Sequence, residues 1–277
     1  MNSHLCKKFQ ELAERTWKKL GLTTRPNINT TLSETSITDD ILLELAMLNS
    51  PNIDLYKTPQ NEECNKGTDW EFWIGRDSEW VRYAIQAKKI DLKTEKYKTL
   101  RHKVGGKLQL EILKDYANKN EAVPLYCFYN YVGDSNVTGR MCRHHHCPCP
   151  CCFYRGDPSH FPSHFGITIT PLRIVESLMD RTEAKNRTFD WIHKRRETRP
   201  WSCLVCCDPF RSAHIWNGKQ PKIYRSLPKF PKQEKMDAEI KESMSAENSL
   251  LFENGEFYNE EAGTPKNIAV INLSPSD

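Results

Sequence analysis

Two neighbouring segments constrain this chain more than any other part of it: Thr68-Asp69-Trp70-Glu71-Phe72-Trp73-Ile74-Gly75 and Trp80-Val81-Arg82-Tyr83-Ala84-Ile85-Gln86-Ala87-Lys88-Lys89-Ile90. Both are rich in the aromatic and β-branched residues that favour strands. The stretch from Gly75 to Glu79 between them is short enough to be a hairpin turn, which makes the strands adjacent and antiparallel. Side chains alternate faces along a strand. Asp69 and Glu71 therefore share one face, with Trp70 and Phe72 on the other, and Gln86 and Lys88 share a face opposite to Ile85 and Ala87. Pairing of the two strands brings a carboxylate, an amide and an ammonium group to one spot. A hard cation such as Mg²⁺ takes oxygen ligands. Asp69 is the anchoring ligand in this reading, the Gln86 side-chain oxygen and the Ala87 carbonyl complete the protein's share, and Glu71 assists. Lys88 beside them lowers the cost of negative charge developing on a phosphate. The pattern points to hydrolysis of a phosphodiester.

Asp69 followed by Gln86-x-Lys88 resembles the core motif of the PD-(D/E)XK, or restriction-endonuclease-like, nucleases. The glutamine is similar to the Mrr-type variant, which carries Gln where most relatives carry Glu or Asp. The resemblance covers roughly residues 30 to 131. It implies an α/β fold with a restriction-endonuclease-like core, a mixed central sheet flanked by helices, in the order helix, three-stranded meander, helix, strand. The matching pieces are a helix near Asp39 to Leu48 capped by Thr38 or Asp39, strands around 68–75 and 80–90, a helix from Gly106 to Lys119, and a strand from Ala122 to Tyr131. The family often draws a further acidic residue from its first helix region; Glu34 is the first candidate and Glu63 the second, while Gln109 on the later helix is expected to face the site.

What the resemblance implies about activity is Mg²⁺- or Mn²⁺-dependent cleavage of DNA, with RNA left open as a substrate. It also implies a role as an effector in bacterial antiphage defence, under the control of a regulatory partner or of homo-oligomerisation. Gln86 departs from the acidic consensus: a neutral ligand binds a cation more weakly than a carboxylate. Two alternatives follow from different observations. A nuclease-like fold without activity would be a nucleic-acid-binding or sensing module, which suits the neutral Gln86. A zinc-stabilised interaction protein would suit the cysteines.

The chain has eleven cysteines among 277 residues. The odd number and the absence of an apolar leader at Met1-Asn2-Ser3-His4 argue against a disulfide framework. Cys149 and Cys152 are spaced C-x₂-C, as are Cys203 and Cys206, so the four could form a tetrahedral structural Zn²⁺ site if the fold unites them. Cys142, His144 to His146 and Cys147 offer alternative ligands. The competing reading makes Cys206 and Cys207 core residues of an apolar strand from Trp201 to Cys207. No apolar run approaches the ~20 residues of a membrane helix, so the expected address is cytoplasmic, with no membrane partner.

A net charge of +4 tolerates a nucleic-acid partner without requiring one. Its distribution is more telling, because Lys88, Lys89, Lys93, Lys96, Lys98, Arg101, His102, Lys103 and Lys107 follow the second strand closely and suit phosphate contacts. The expected organisation is an N-terminal helix over residues 5–20 and the nuclease-like core within 1–131. A Cys/His-rich insertion with further elements completes the domain over 132–217, including a strand at Phe165 to Thr170 and a helix from Pro171. A Pro/Lys-rich linker and acidic tail then span 218–277, with one short apolar run at Ile268 to Ile271. Asn49 to Gly67 reads as a polar loop.

Overall fold

Leu5, Phe9, Leu12, Ala13, Trp17 and Leu20 recur at helical spacing and are all buried, which winds the first segment into helix α1 (Ser3–Leu22) against the core. The computed structural model describes residues 3–57, 68–133, 157–179, 187–228 and 267–274. Helix α2 (Glu34–Met47) begins earlier than the expected Thr38 or Asp39 cap, because the Ser33 hydroxyl accepts the Ser36 N–H at 2.9 Å and supplies the cap itself. Thr38 instead turns inward, 2.7 Å from the Tyr129 hydroxyl. The early start puts Glu34 in the first helical turn.

Strands β1 (Ile53–Lys57), β2 (Trp70–Arg76) and β3 (Glu79–Lys89) follow. Asp77 and Ser78 close the β2–β3 hairpin with positive φ angles of 51° and 66°, the handedness that matches strand twist in two-residue turns. Gly75 is required there, since a Cβ would lie 2.1 Å from the Glu79 carbonyl oxygen. A small hairpin, β4 (Lys103–Val104) and β5 (Lys107–Leu108), turns through Gly105 and Gly106 at positive φ, so helix α3 (Gln109–Lys119) starts a little later than the sequence suggests. Strand β6 (Val123–Tyr129), helix α4 (Phe161–Phe165), strand β7 (Ile167–Pro171), helix α5 (Leu172–Met179), helix α6 (Phe189–His193), strand β8 (Arg199–Pro200), helices α7 (Cys203–Cys206) and α8 (Pro209–Asn217), and strand β9 (Asn267–Asn272) complete the described elements.

Seven of the described strands form one mixed sheet in the order β1-β9-β2-β3-β6-β7-β8. β2 and β3 are antiparallel, and β3 and β6 are parallel, with α3 providing the crossover that a parallel pair needs. Helices lie on both faces. One face buries Phe72, Ile74, Val81, Tyr83, Ile85 and Leu125 against α1, α2, α7 and α8. The other packs Ala84, Tyr126 and Phe128 against Leu110, Leu113 and Tyr116 of α3 and against α5. A polar network closes the far end of β6: the Asn130 amide donates to the Phe165 carbonyl at 2.7 Å, and His193 Nε2 lies 2.8 Å from the Thr168 hydroxyl.

Three expectations are corrected. The span read as a polar loop contains β1, whose Ile53 and Leu55 are buried. The span read as a linker and tail contributes β9, which lies inside the sheet, antiparallel to β1 and parallel to β2. Trp201 to Cys207 is not a strand: Cys206 N–H bonds back to Ser202 O at 2.8 Å, closing helix α7. A short run buried on all sides carries no periodicity that separates helix from strand. The Trp201 ring stacks on Phe9 with centroids 4.1 Å apart, and its indole N–H donates to the Phe9 carbonyl, so the run turns where that anchor holds it.

The cysteines give the fourth correction. Cys6 of α1 and Cys206 of α7 form a disulfide spanning 200 positions. Cross-linking so long a loop restricts the unfolded chain strongly, by about 5 kcal/mol in the chain-entropy picture. The Cys6→Ser variant is therefore expected to lose about 3–5 kcal/mol of stability. Urea unfolding would read this directly, and wild type with a reductant should unfold like the variant. Identical midpoints for the oxidised wild type and the variant would mean that the bridge contributes nothing.

Candidate functional site

The site forms where β3 runs past the start of β2. Asp69 stands just before β2, yet its N–H still bonds to Ile85 O at 2.9 Å, so the ladder extends one residue beyond the strand. That extension turns the Asp69 carboxylate towards the end of β3. Its Oδ2 accepts the Ala87 N–H at 2.6 Å and a short hydrogen bond from Gln86 Nε2. Gln86 is only 1% exposed, and its Oε1 has no partner among the described residues. Its amide is thus oriented by Asp69, with the free carbonyl oxygen pointing elsewhere.

Lys88 follows two positions on and is 3% exposed. Its Nζ lies 3.4 Å from Glu34 Oε2. Glu34 comes from the first turn of α2, and its other oxygen accepts the Lys89 N–H at 2.9 Å and the Thr99 hydroxyl at 3.1 Å. Lys89 Nζ donates to the Leu32 carbonyl, which ties the approach to α2 onto the same strand end. Asp69, Gln86, Lys88 and Glu34 are therefore gathered at one end of β3, two carboxylates against one buried ammonium.

Tyr126 of β6 stands beside Gln86 in the parallel register and is fully buried. Burial, then the charges of Asp69 and Glu34, push its phenol up from the ordinary range, and its hydroxyl has no partner among the described residues. Cys127 is no nucleophile in this setting: burial, and secondarily Asp69, hold its thiol well above its usual value.

Glu71 is placed differently from the expectation. It is 2% exposed, and its Oε1 accepts the Trp73 indole N–H at 2.8 Å. Its Oε2 accepts Arg82 Nη2 at 2.7 Å and the Tyr116 hydroxyl at 2.5 Å. The Arg82 guanidinium also lies over the Trp73 and Tyr116 rings. Both oxygens of Glu71 are thus committed to a structural cluster between sheet and α3. Gln109 opens α3 with its Oε1 buried and without a partner among the described residues.

The four-cysteine zinc site is corrected in part. The Cys206 sulfur is bonded to Cys6 and is not available as a thiolate, and Cys203 is buried in the core beside it. Cys149, Cys152 and Glu63 lie outside the described residues. Among the described residues no three His, Cys, Asp or Glu side chains converge to hold a metal. A cation at the Asp69 site would consequently draw on an amide oxygen as well as carboxylates.

The profile of one protein family matches residues 5–276, from α1 through β9; it is described as Family of unknown function (DUF6615). The chain belongs to this family. No curated protein matches it. The span of the DUF6615 match takes in Cys6, the Asp69 site and β9 together, so the segments that meet in the sheet belong to one family unit.

Sequence reasoning missed two residues beside the candidate site of this DUF6615 member, Tyr126 and Thr99. Tyr126 sits in an apolar run, and only the parallel pairing of β3 with β6 sets it beside Gln86. Thr99 belongs to a 3₁₀ turn (Lys98–Arg101) whose approach to Glu34 is a tertiary contact. The basic segment behaves unevenly: Lys98 pairs with Asp91 at 2.7 Å and Arg101 holds the Met179 carbonyl, while Lys93 and Lys103 are exposed. No helix among the described residues is long and apolar enough to cross a membrane.

Proposed function

We propose that this chain is a divalent-cation-dependent nuclease with a restriction-endonuclease-like core, acting on phosphodiester bonds in DNA. The observation that carries the reading is the gathering of Asp69, Gln86, Lys88 and Glu34 at the end of β3, with the buried Gln86 Oε1 left unpartnered. The order α2, β2–β3 hairpin, α3, β6, with β6 parallel to β3, supports it. β9 lies between β1 and β2, where that order would place β1 and β2 side by side.

The donor set fits a hard cation. Asp69 supplies charge and Gln86 Oε1 supplies a neutral oxygen that is desolvated and otherwise unsatisfied, a costly state that a ligand would relieve. A cation held there would supply Lewis-acid polarisation of the phosphate. Lys88 meets the negative charge that grows on the phosphate, and Glu34, bonded to the Lys89 N–H and Thr99, fixes the lysine's position. A DNA partner and a role in antiphage defence belong to the same proposal; the cytoplasmic address expected from the sequence stands against the Cys6–Cys206 bridge, which a reducing compartment would open.

A second reading, a binding module without activity, is favoured by one observation: Gln86 brings no charge, so Asp69 alone faces the cation from β2 and β3. The two separate experimentally. Purified protein is expected to cut supercoiled plasmid or single-stranded DNA with Mg²⁺ or Mn²⁺ and to stop in EDTA. The Glu34→Gln variant should cut about 10–100-fold more slowly, since it loosens Lys88 without removing it. DNA retention without cutting under any cation would favour the second reading and sink the first.

A further inference from the structure

Buried polar side-chain atoms in folded proteins nearly always have a hydrogen-bond partner, so each exception asks for a reason. Two exceptions here are neighbours. Gln86 and Tyr126 face each other across the β3–β6 register and so share one face of the sheet. Gln86 Oε1 is an acceptor, the Tyr126 hydroxyl can donate, and both are buried without a partner among the described residues. The two groups are complementary, yet they do not bond to each other. Each is held back by something else: Gln86 by its bond to Asp69, and Tyr126 by its ring, which stacks on Phe128 with centroids 5.9 Å apart. Lys88, two positions beyond Gln86, lies on that same face, where Asp69 meets Gln86 and Glu34 meets Lys88.

The chemistry of the two orphans differs. A cation satisfies an amide oxygen; a phenol O–H calls for an anionic oxygen. Lys88 offers a second donor on the same face, with one of its protons directed to Glu34 and others to spare. We propose that Tyr126 is a substrate-contacting residue of this site, donating its hydroxyl hydrogen bond to a non-bridging oxygen of the nucleic-acid phosphodiester that Lys88 also meets. This inference rests on the nuclease reading and adds to it a donor that does not hold the cation. A neutral phenol discriminates in favour of an anionic oxygen without adding positive charge to the site, and its rigid ring places the donor with little freedom to lose.

The Tyr126→Phe variant keeps the ring and removes only the hydroxyl. A hydroxyl that served the fold would leave a weaker protein behind; a hydroxyl kept for a ligand leaves an equally or more stable one, as happens when sites are strained for function. The variant is expected to unfold at the same urea concentration as wild type or higher, and to cut DNA about 10–100-fold more slowly. The Mg²⁺ concentration for half-maximal rate should stay unchanged, because Asp69 and Gln86 are intact. With Ca²⁺ in place of Mg²⁺, its affinity for a short DNA duplex should fall about tenfold. A clear loss of stability, or wild-type cutting by the variant, would overturn the inference and leave the nuclease reading standing. Failure of wild type to cut would remove the nuclease reading alone; the affinity comparison then decides, with equal binding by the two proteins overturning the phosphate contact. Melting protection of wild type by inorganic phosphate, with no binding of the duplex, would reassign the anion to free phosphate and overturn the phosphodiester.

Discussion

The Asp69→Asn variant is expected to fold normally and to cut DNA at least about 10³-fold more slowly than wild type, a loss of about 4 kcal/mol in transition-state stabilisation. Asparagine keeps an oxygen where Oδ2 accepts the Ala87 N–H, so the strand extension that positions the site survives. What disappears is the charge. Gln86 is neutral and Lys88 is positive, so Asp69 is the only anion that β2 and β3 bring to the end of the hairpin; Glu34 is already engaged by Lys88, the Lys89 N–H and Thr99. The introduced amide would also present a donor or an acceptor to Gln86 in either orientation, without any claim on a cation. Cleavage rates at saturating Mg²⁺, with urea unfolding as the control for folding, measure the effect. A variant that cuts within tenfold of wild type would remove Asp69 from the chemistry.

The Glu71→Ala variant is expected to fail in the opposite way, losing about 3–5 kcal/mol of stability while any folded fraction keeps its site. Glu71 is the common acceptor for Arg82, Tyr116 and Trp73. Its removal leaves a guanidinium whose side chain is 17% exposed with only the neutral partners Asn120 and Tyr116, and takes an acceptor from two buried donors. The penalty comes from what is left unpaired and not from the ion pair as such. The double variant Glu71→Met with Arg82→Leu is therefore expected to recover most of the loss. Chemical denaturation of the single and double variants tests this. A stable Glu71→Ala protein with lost cleavage would return Glu71 to the catalytic set and contradict the structural cluster.

What could be read from the sequence follows the range of the interactions involved. The β2–β3 hairpin was legible because its turn is local and its alternating pattern is complete within one stretch. Asp69, Gln86 and Lys88 came with it, since register across a tight turn leaves little choice. Glu34 was reached through a family resemblance, while the local capping signal pointed to Thr38 or Asp39 instead of Ser33. Glu71 was misread because alternation puts it on the face of Asp69 but says nothing of Arg82 and Tyr116, which claim it. β1 was hidden because its only strand partner among the described residues is β9, far away in the chain. The Cys6–Cys206 bridge was equally hidden, since counting cysteines cannot reveal which two the fold apposes.

The position of β9 also dictates an order of events. Trp70 pairs with Asn267, about 200 positions further along, a separation that makes the contact slow to find. While the ribosome is still producing the intervening chain, the slot between β1 and β2 stands open. Among the described strands β1 has no other neighbour, and β2 presents a bare edge on the side away from β3. Open edges of this kind invite pairing with other chains, so this is the interval in which a nascent molecule is most exposed to misassembly. Asp69 immediately precedes that same unsupported strand. The strand that Asp69 adjoins thus gains its second neighbour only when the last of the described elements arrives, and synthesis itself sets the earliest moment at which that end of the sheet can become rigid.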